Sequence, residues 1–418
     1  MFRKPMNRSQ RFGRSSNAGS YKDSSRNSNS RGRSFRGYFS ARKSRSGKAQ
    51  FNDVSKFINK AVLVLDTKPY KAINSFADFS VDERLKKNVL TAGYKQPTPI
   101  QDQAIPHVLD GRDIVGIANT GTGKTAAFVI PLLNKVIKDN KQNTLIVAPT
   151  RELAIQINQE LIKFASGLRI FSVCVVGGMP IFRQTNDLRR SHNFVIGTPG
   201  RIKDHIKRGT LKLNNFKTVV LDEADRMLDM GFIDDMRFLM SAMPKERHTL
   251  FFSATLSSDI KKIIGEFLDD PIHISVKTGD TASSVDQDVV YVQDKGKVDT
   301  LHDLLIQPEF DKVLIFGRTK VGVEKLSEIL AVRGFKAQSI HGNKNHIQRQ
   351  RALRQFKDSV INILVATDVA ARGLDIPNVS HVINYELPST YEDYIHRIGR
   401  TGRGGKTGKA LTFVESRE

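Results

Sequence analysis

"DIVGIANTGTGKTAAFVIPLLNKVI", Asp113 to Ile137, decides how the rest of the chain is read. Its first six residues are a short apolar run that reads as a buried strand, and "KTAAFVIPLLNKVI" repeats apolar residues at helical spacing. Between them lies a glycine-rich turn, "NTGTGKT", so the order is strand, loop, helix. That is the setting of a P-loop. Thr120, Gly121, Thr122 and Gly123 line the loop, whose glycines let backbone N–H groups turn inward on phosphate oxygens. Lys124 brings a point charge to the β and γ phosphates, and the Thr125 hydroxyl serves a Mg²⁺ ion. The usual pattern begins with glycine; Ala118 stands in that place.

The same alternation continues outward from the loop. "TLIVAP", "FSVCVV", "FVIGT", "TVVLD" and "TLFFSA" are separated by amphipathic stretches such as "RELAIQINQELIKFA", which implies βαβ units and a parallel sheet covered by helices. A polar stretch, Val276 to Gln287, interrupts the pattern. It then resumes with "KVLIFGRT", "INILVAT", "HVINYEL" and "KALTFVE". The expected architecture is α/β, two tandem domains over 76–275 and 287–418, joined by a linker at 276–286. A short amphipathic helix is expected within 51–75, where Val54, Phe57, Ile58, Ala61 and Val62 fall at helical spacing.

Composition bounds the function. The chain has 418 residues and 39% hydrophobic content, enough for the cores of two or three domains. One cysteine, Cys174, excludes an internal disulfide framework and fits a reducing, cytoplasmic location. No apolar run of membrane-spanning length and no secretory signal are visible, so no membrane partner is expected. Net charge is +23, and residues 1–50 alone hold fourteen Lys or Arg against one acidic residue, Asp23. This tail is rich in Ser, Asn, Gly and Arg and reads as disordered. Its arginines alternate with Phe35, Tyr38 and Phe39, as in an arm that binds RNA phosphates and stacks on bases. A solubilising tail and an organellar transit peptide are the other readings.

Against this charge, "TVVLDEADRM" places Asp222, Glu223 and Asp225 within four residues at the end of a strand. Carboxylates that close repel one another and lose hydration, so cations must face them. In a parallel sheet the strand ends share one edge, which puts Asp222 opposite a Mg²⁺ held at the P-loop. Glu223 would orient or deprotonate an attacking water, and Asp225 would link to another segment.

"DEAD" at 222–225, with "SAT" (Ser253 to Thr255) and "HRIGRTGR" (His396 to Arg403), resembles the DEAD-box family of ATP-dependent RNA helicases. The likeness runs from Phe76 nearly to the end of the chain, with about ten motifs in family order. "HGNK" and "QRQRALRQFK" are most similar to the bacterial RhlE-type branch. The resemblance implies RecA-like domains, with ATP and Mg²⁺ as cofactors. Gln101 of "GYKQPTPIQ" would read the adenine edge, with Phe76 stacked on the ring. Asp375 would hold the ribose, while Arg400 and Arg403 reach the γ-phosphate. RNA, bound with low sequence preference, would meet Pro149, Thr150 and Arg151 of "PTREL", the pair Gly177 and Gly178, Thr198 and Arg201 of "TPGR", Arg349 and Thr367. Asp225 would couple the ATP site to Ser253, Thr255 and His396.

ATP and RNA would then each favour closure of the two domains, giving local, non-processive unwinding by a monomer. An ATP-gated RNA clamp or chaperone is the alternative, and a DNA helicase of the same superfamily is a more distant one. His346 stands where the family commonly has Gln, three residues before Arg349. The chain also ends at Glu418, short of the closing helix usual in the fold, as a fragment or a minimal second domain would.

Overall fold

The computed structural model describes residues 57–58, 70–119, 121–276, 285–292, 296–371, 376, 378–402 and 408–415. The basic tail and residues 277–284 of the expected linker lie outside these. Among the described residues, seven strands build a first sheet: β1 (Ile114–Ala118), β2 (Asn143–Val147), β3 (Ser172–Val175), β4 (Phe194–Gly197), β5 (Phe216–Leu221), β6 (His248–Ser253) and β7 (Ile272–Val276). Six more build a second: β8 (Val285–Val292), β9 (Val313–Gly317), β10 (Ala337–Ile340), β11 (Ile363–Thr367), β12 (His381–Asn384) and β13 (Gly408–Glu415).

Every strand pairing is parallel, in the orders β3-β4-β2-β5-β6-β1-β7 and β10-β11-β9-β12-β13-β8. Parallel strands need crossovers, and the crossing helices cover both faces. Adjacent residues of β1 therefore serve opposite cores. Ile114 packs with the helices Pro99–Leu109, Lys124–Lys138 and Arg151–Phe164, while Val115 packs with Pro199–Lys207, Ile233–Ser241 and Ser258–Phe267. The second sheet repeats the plan, with Leu314 facing the helix His346–Lys357 and Val313 facing Lys320–Val332.

The order β5-β6-β1 sets the chemistry. It brings the chain after β1, which carries the P-loop, next to the ends of β6 and β5, which carry Ser253 and the carboxylates. Of the helix expected within 51–75, residues 57–58 and 70–75 are described, and none belongs to an α-helix. Phe57 instead packs in the second sheet's core, its ring edge-on to Tyr394 at 4.9 Å. No helix among the described residues is long and apolar enough to cross a membrane.

Candidate active site

The P-loop is braced from within and from below. Lys124 is buried, and its Nζ donates to the carbonyl of Ala118 at 2.8 Å; the Thr122 hydroxyl donates to Asn119 at 2.8 Å. From the helix Pro99–Leu109 and its cap, the Thr98 hydroxyl donates to the carbonyl of Thr122 at 2.7 Å, and Gln101 Nε2 donates to that of Gly123 at 3.0 Å. Gly123 has φ +88°, and a Cβ there would lie 2.3 Å from Gln101 Nε2, so only glycine fits beneath the amide.

Two residues expected to meet the base are buried here. Gln101 is buried, and a buried amide must satisfy its polar atoms: Oε1 accepts from Thr98 N at 2.9 Å while Nε2 holds Gly123. The side chain presents itself as a clamp on the loop. Phe76 is 3% exposed, with its ring against Phe79 and Tyr94 at 5.9 and 6.2 Å in edge geometry. Its ring is core material here, because apolar partners surround it, and no open stacking face is presented.

The carboxylates lie where β5 ends, with Asp222 N bonded to the carbonyl of Val147 at 3.0 Å. Asp222 is 2% exposed, and its carboxyl is pushed up to about 7 by burial, opposed by Lys124 and reinforced by Glu223 and Asp225. A carboxyl so starved of positive charge fits a divalent cation. Thr125 and Asp222 are the donors that would hold it. Among the described residues no three His, Cys, Asp or Glu converge on a metal position.

Glu223 sits at φ +51°, in the left-handed region that non-glycine residues rarely occupy, and such outliers gather at functional sites. Burial pushes its carboxyl up, but Arg226, Lys124 and Arg400 outweigh this and hold it below the usual carboxylate range. Arg226 is its direct ion-pair partner. Arg400, 4% exposed, follows the helix Tyr391–Ile398 of the second sheet, and its Nε donates to the carbonyl of His396 at 3.3 Å. Charges from both sheets thus act on one carboxylate. Asp225 Oδ2 accepts from the N–H groups of Ala254 and Thr255, both at 3.0 Å, and Ser253 Oγ donates to the carbonyl of Thr255 at 2.8 Å.

A second group of side chains lies along the β2 and β4 ends. Thr150 caps the helix Arg151–Phe164 by accepting from Leu153 N at 3.2 Å, and Thr198 occupies the same position before Pro199–Lys207. Arg151 lies flat against Gly177 and Gly178; a Cβ on Gly178 would meet its Nη1 at 2.1 Å. Burial, with the charges of Arg349 and Arg201, pushes the Arg151 guanidinium below its ordinary range against the pull of Glu152. Three arginines expected to meet RNA are therefore neighbours. Arg349 reaches across from the second sheet to Glu152 at 2.9 Å, and Arg201 Nη1 donates to the carbonyl of Met179 at 3.1 Å. Pro149 precedes this cap, and Thr367 closes β11, buried.

Thr120, Asp375 and Arg403 lie outside the described residues, as does the side chain of His346, the first residue of His346–Lys357. Sequence reading missed Arg226, although it follows Glu223 at helical i+3 spacing, and Glu152, although it stands inside "PTREL". It also missed Gln184, which holds Arg201 Nη1 at 3.3 Å and has no local signal.

A P-loop in a parallel sheet, strand-end carboxylates beside it and a buried arginine from a second sheet define a two-sheet nucleoside triphosphatase of the helicase class. Residues 98–263 match the family model of the DEAD/DEAH box helicase, and residues 296–405 that of the helicase conserved C-terminal domain. The chain is 48% identical over 346 residues to the DEAD-box ATP-dependent RNA helicase CshA of Bacillus subtilis, covering 82% of this chain and 70% of that protein. Similarity to CshA of Listeria monocytogenes is also 48%, over 83% of this chain and 67% of the relative. Among solved structures, S. cerevisiae Dbp5 bound to RNA and ADP BeF3 matches with TM-score 0.72 and 30% identity, over 82% of this chain and 90% of that one. Mss116p bound to ssRNA and AMP-PNP matches with TM-score 0.72 and 32% identity, over 80% and 73%. The chain belongs to the DEAD-box family of RNA helicases.

Proposed function

We propose that the protein is an ATP-dependent RNA helicase in which RNA-stimulated ATP hydrolysis is coupled to closure of the two sheets and to local, non-processive strand separation. The convergence of Lys124, Arg226 and the second sheet's Arg400 on Glu223 carries this reading. Neither sheet by itself supplies all the charges around that carboxylate. Similarity to Dbp5 and Mss116p, whose structures hold RNA with a nucleotide analogue, supports the substrate assignment.

In this reading Lys124 binds the outer phosphates and Glu223 accepts a proton from the attacking water. Arg400 and Arg403 stabilise charge on the transferred phosphoryl group, as arginine fingers do. Mg²⁺, held by Thr125 and Asp222, would neutralise phosphate charge. Thr120 to Gly123 cradle phosphates and Asp375 holds the ribose. Gln101 reads adenine with the amide N–H that Gly123 does not take. Pro149, Thr150, Arg151, Gly178, Thr198, Arg201, Arg349 and Thr367 contact the RNA backbone, which explains low sequence preference. Asp225, Ser253, Thr255 and His396 couple the two events.

The division into domains over 76–275 and 287–418, a monomeric state and a cytoplasmic location belong to the same proposal. So does kinship with the RhlE-type branch, which the CshA relatives do not support.

The test is ATP hydrolysis by purified protein with and without single-stranded RNA, with single-stranded DNA and Glu223→Gln as controls. RNA-specific turnover that disappears in the variant is the expected result. Tight, ATP-dependent RNA binding without turnover would replace the helicase with a clamp.

A further inference from the structure

One buried carboxylate beside the nucleotide site has no part in the reading above. Asp102, in the first turn of Pro99–Leu109, is 2% exposed. Four donors from the short segment Tyr70–Asn74 converge on it. The Tyr70 hydroxyl and Ile73 N–H reach Oδ2, both at 2.7 Å; the Asn74 N–H and Nδ2 reach Oδ1 at 3.1 and 2.7 Å. Burial pushes the carboxyl up, but these bonds outweigh it and keep it below the usual carboxylate range, so the acceptor is ionised. Ile73 is 86% exposed and Tyr70 43%, so apolar burial of these two side chains contributes little to holding the segment. Charge-assisted bonds to one carboxylate fasten it to the helix.

The other side of the same helical turn carries Thr98 and Gln101, whose side chains grip the Thr122 and Gly123 carbonyls of the P-loop. An unbroken series of bonds therefore runs from Tyr70–Asn74 through Asp102 and the first helical turn to the phosphate loop. We propose that Tyr70–Asn74 is a strap, and Asp102 a positioning residue, that hold the P-loop in its nucleotide-binding form. A helical turn fixed on one side by four bonds transmits that fixation to the two side chains on the other. The loop then loses less conformational freedom when nucleotide arrives. Glu223 and Arg400 lie on other elements, so the strap acts on nucleotide affinity and leaves the rate of the bound complex unchanged. This inference rests on the nucleotide-site reading.

The experiment uses the full chain with Asp102→Ala, Asp102→Asn, Tyr70→Phe and Asn74→Ala. It measures ADP affinity, KM and kcat for ATP at saturating RNA, and the thermal midpoint. Bonds to a charged group of this kind predict about tenfold weaker ADP binding and a matching rise in KM for Asp102→Ala, with smaller rises for Asp102→Asn, Tyr70→Phe and Asn74→Ala. The kcat stays within about twofold, the pattern of lost uniform binding. In a Thr98→Ala, Gln101→Ala background the Asp102→Ala effect shrinks to less than about twofold, because the connection is already cut. A lower thermal midpoint with unchanged KM, or an undiminished effect in that background, overturns the strap. Should Asp102→Ala not fold, the single-donor variants decide. Failure of the unaltered protein to bind ADP or ATP would instead overturn the nucleotide-site reading.

Discussion

Asp225 accepts from Thr255 twice, from its N–H at 3.0 Å and its hydroxyl at 3.3 Å, and so ties the helix that follows β5 to the chain leaving β6. The P-loop lies beyond the next strand, β1. Asp225→Asn keeps the shape but turns one acceptor into a donor facing two N–H groups. RNA unwinding is expected to fall about tenfold or more while RNA-independent ATP hydrolysis falls only a few-fold, in line with a loss of roughly 1–3 kcal/mol for an unsatisfied buried group. Equal losses in the two assays would make the bond a catalytic one.

Glu223→Gln removes the proton acceptor and should lower ATP turnover by about 10²- to 10⁴-fold with nucleotide affinity nearly kept. Arg226→Ala tests the other half of the buried pair. Removing that guanidinium leaves a buried carboxylate without its direct partner, at a cost of about 3–5 kcal/mol read from the urea midpoint. A stable Arg226→Ala protein would mean that Lys124 and Arg400 suffice.

The Arg349–Glu152 pair joins the two sheets at 2.9 Å with both side chains largely buried. Arg349→Ala, Glu152→Ala and the double variant form a cycle whose coupling is expected at about 0.5–3 kcal/mol in denaturant unfolding. A coupling of zero would show that the ion pair adds nothing to holding the sheets together.

Two buried histidines lower stability on the acid side. Burial lowers His248 and His381 from 6.5 to about 4, and His248 Nε2 is bonded to the carbonyl of Arg112 at 2.8 Å. The unfolded chain binds these protons first, so stability is full above about pH 6.5 and declines as pH falls toward 4, by roughly 3 kcal/mol per histidine. Asp222, pushed up to about 7 by burial, gains stability over the same range and opposes the histidines. His248→Asn should therefore hold the urea midpoint at pH 4 higher, relative to pH 7, than the unaltered protein does, and an unchanged difference would mean that His248 carries none of the acid loss.

Deleting residues 1–50 removes fourteen basic residues and one acidic residue. RNA affinity should weaken and its salt dependence flatten, by about 0.7 in the logarithmic slope for each single-strand phosphate that the tail had neutralised. An unchanged slope would separate the tail from RNA binding.

Local pattern was enough to place the P-loop, the carboxylates at the end of β5, and the alternation that makes two parallel sheets. Those features are written in glycine spacing, in short apolar runs and in a periodicity of 3.6 residues, which are legible between near neighbours in the chain. Function was readable for the same reason, since the chemistry of phosphate binding demands particular residue types at short spacing. What the sequence alone could not state was distance between remote segments. The order β3-β4-β2-β5-β6-β1-β7, the reach of Arg349 to Glu152, and the Gln101 amide bound to the loop all depend on long-range packing. So does the burial of Phe76, an aromatic that the family resemblance marks out without saying which side of it the core will cover. Which carboxylate is raised and which is lowered was likewise a tertiary decision: Asp222 and Glu223 are consecutive, yet burial prevails at one, while Arg226, Lys124 and Arg400 together outweigh it at the other.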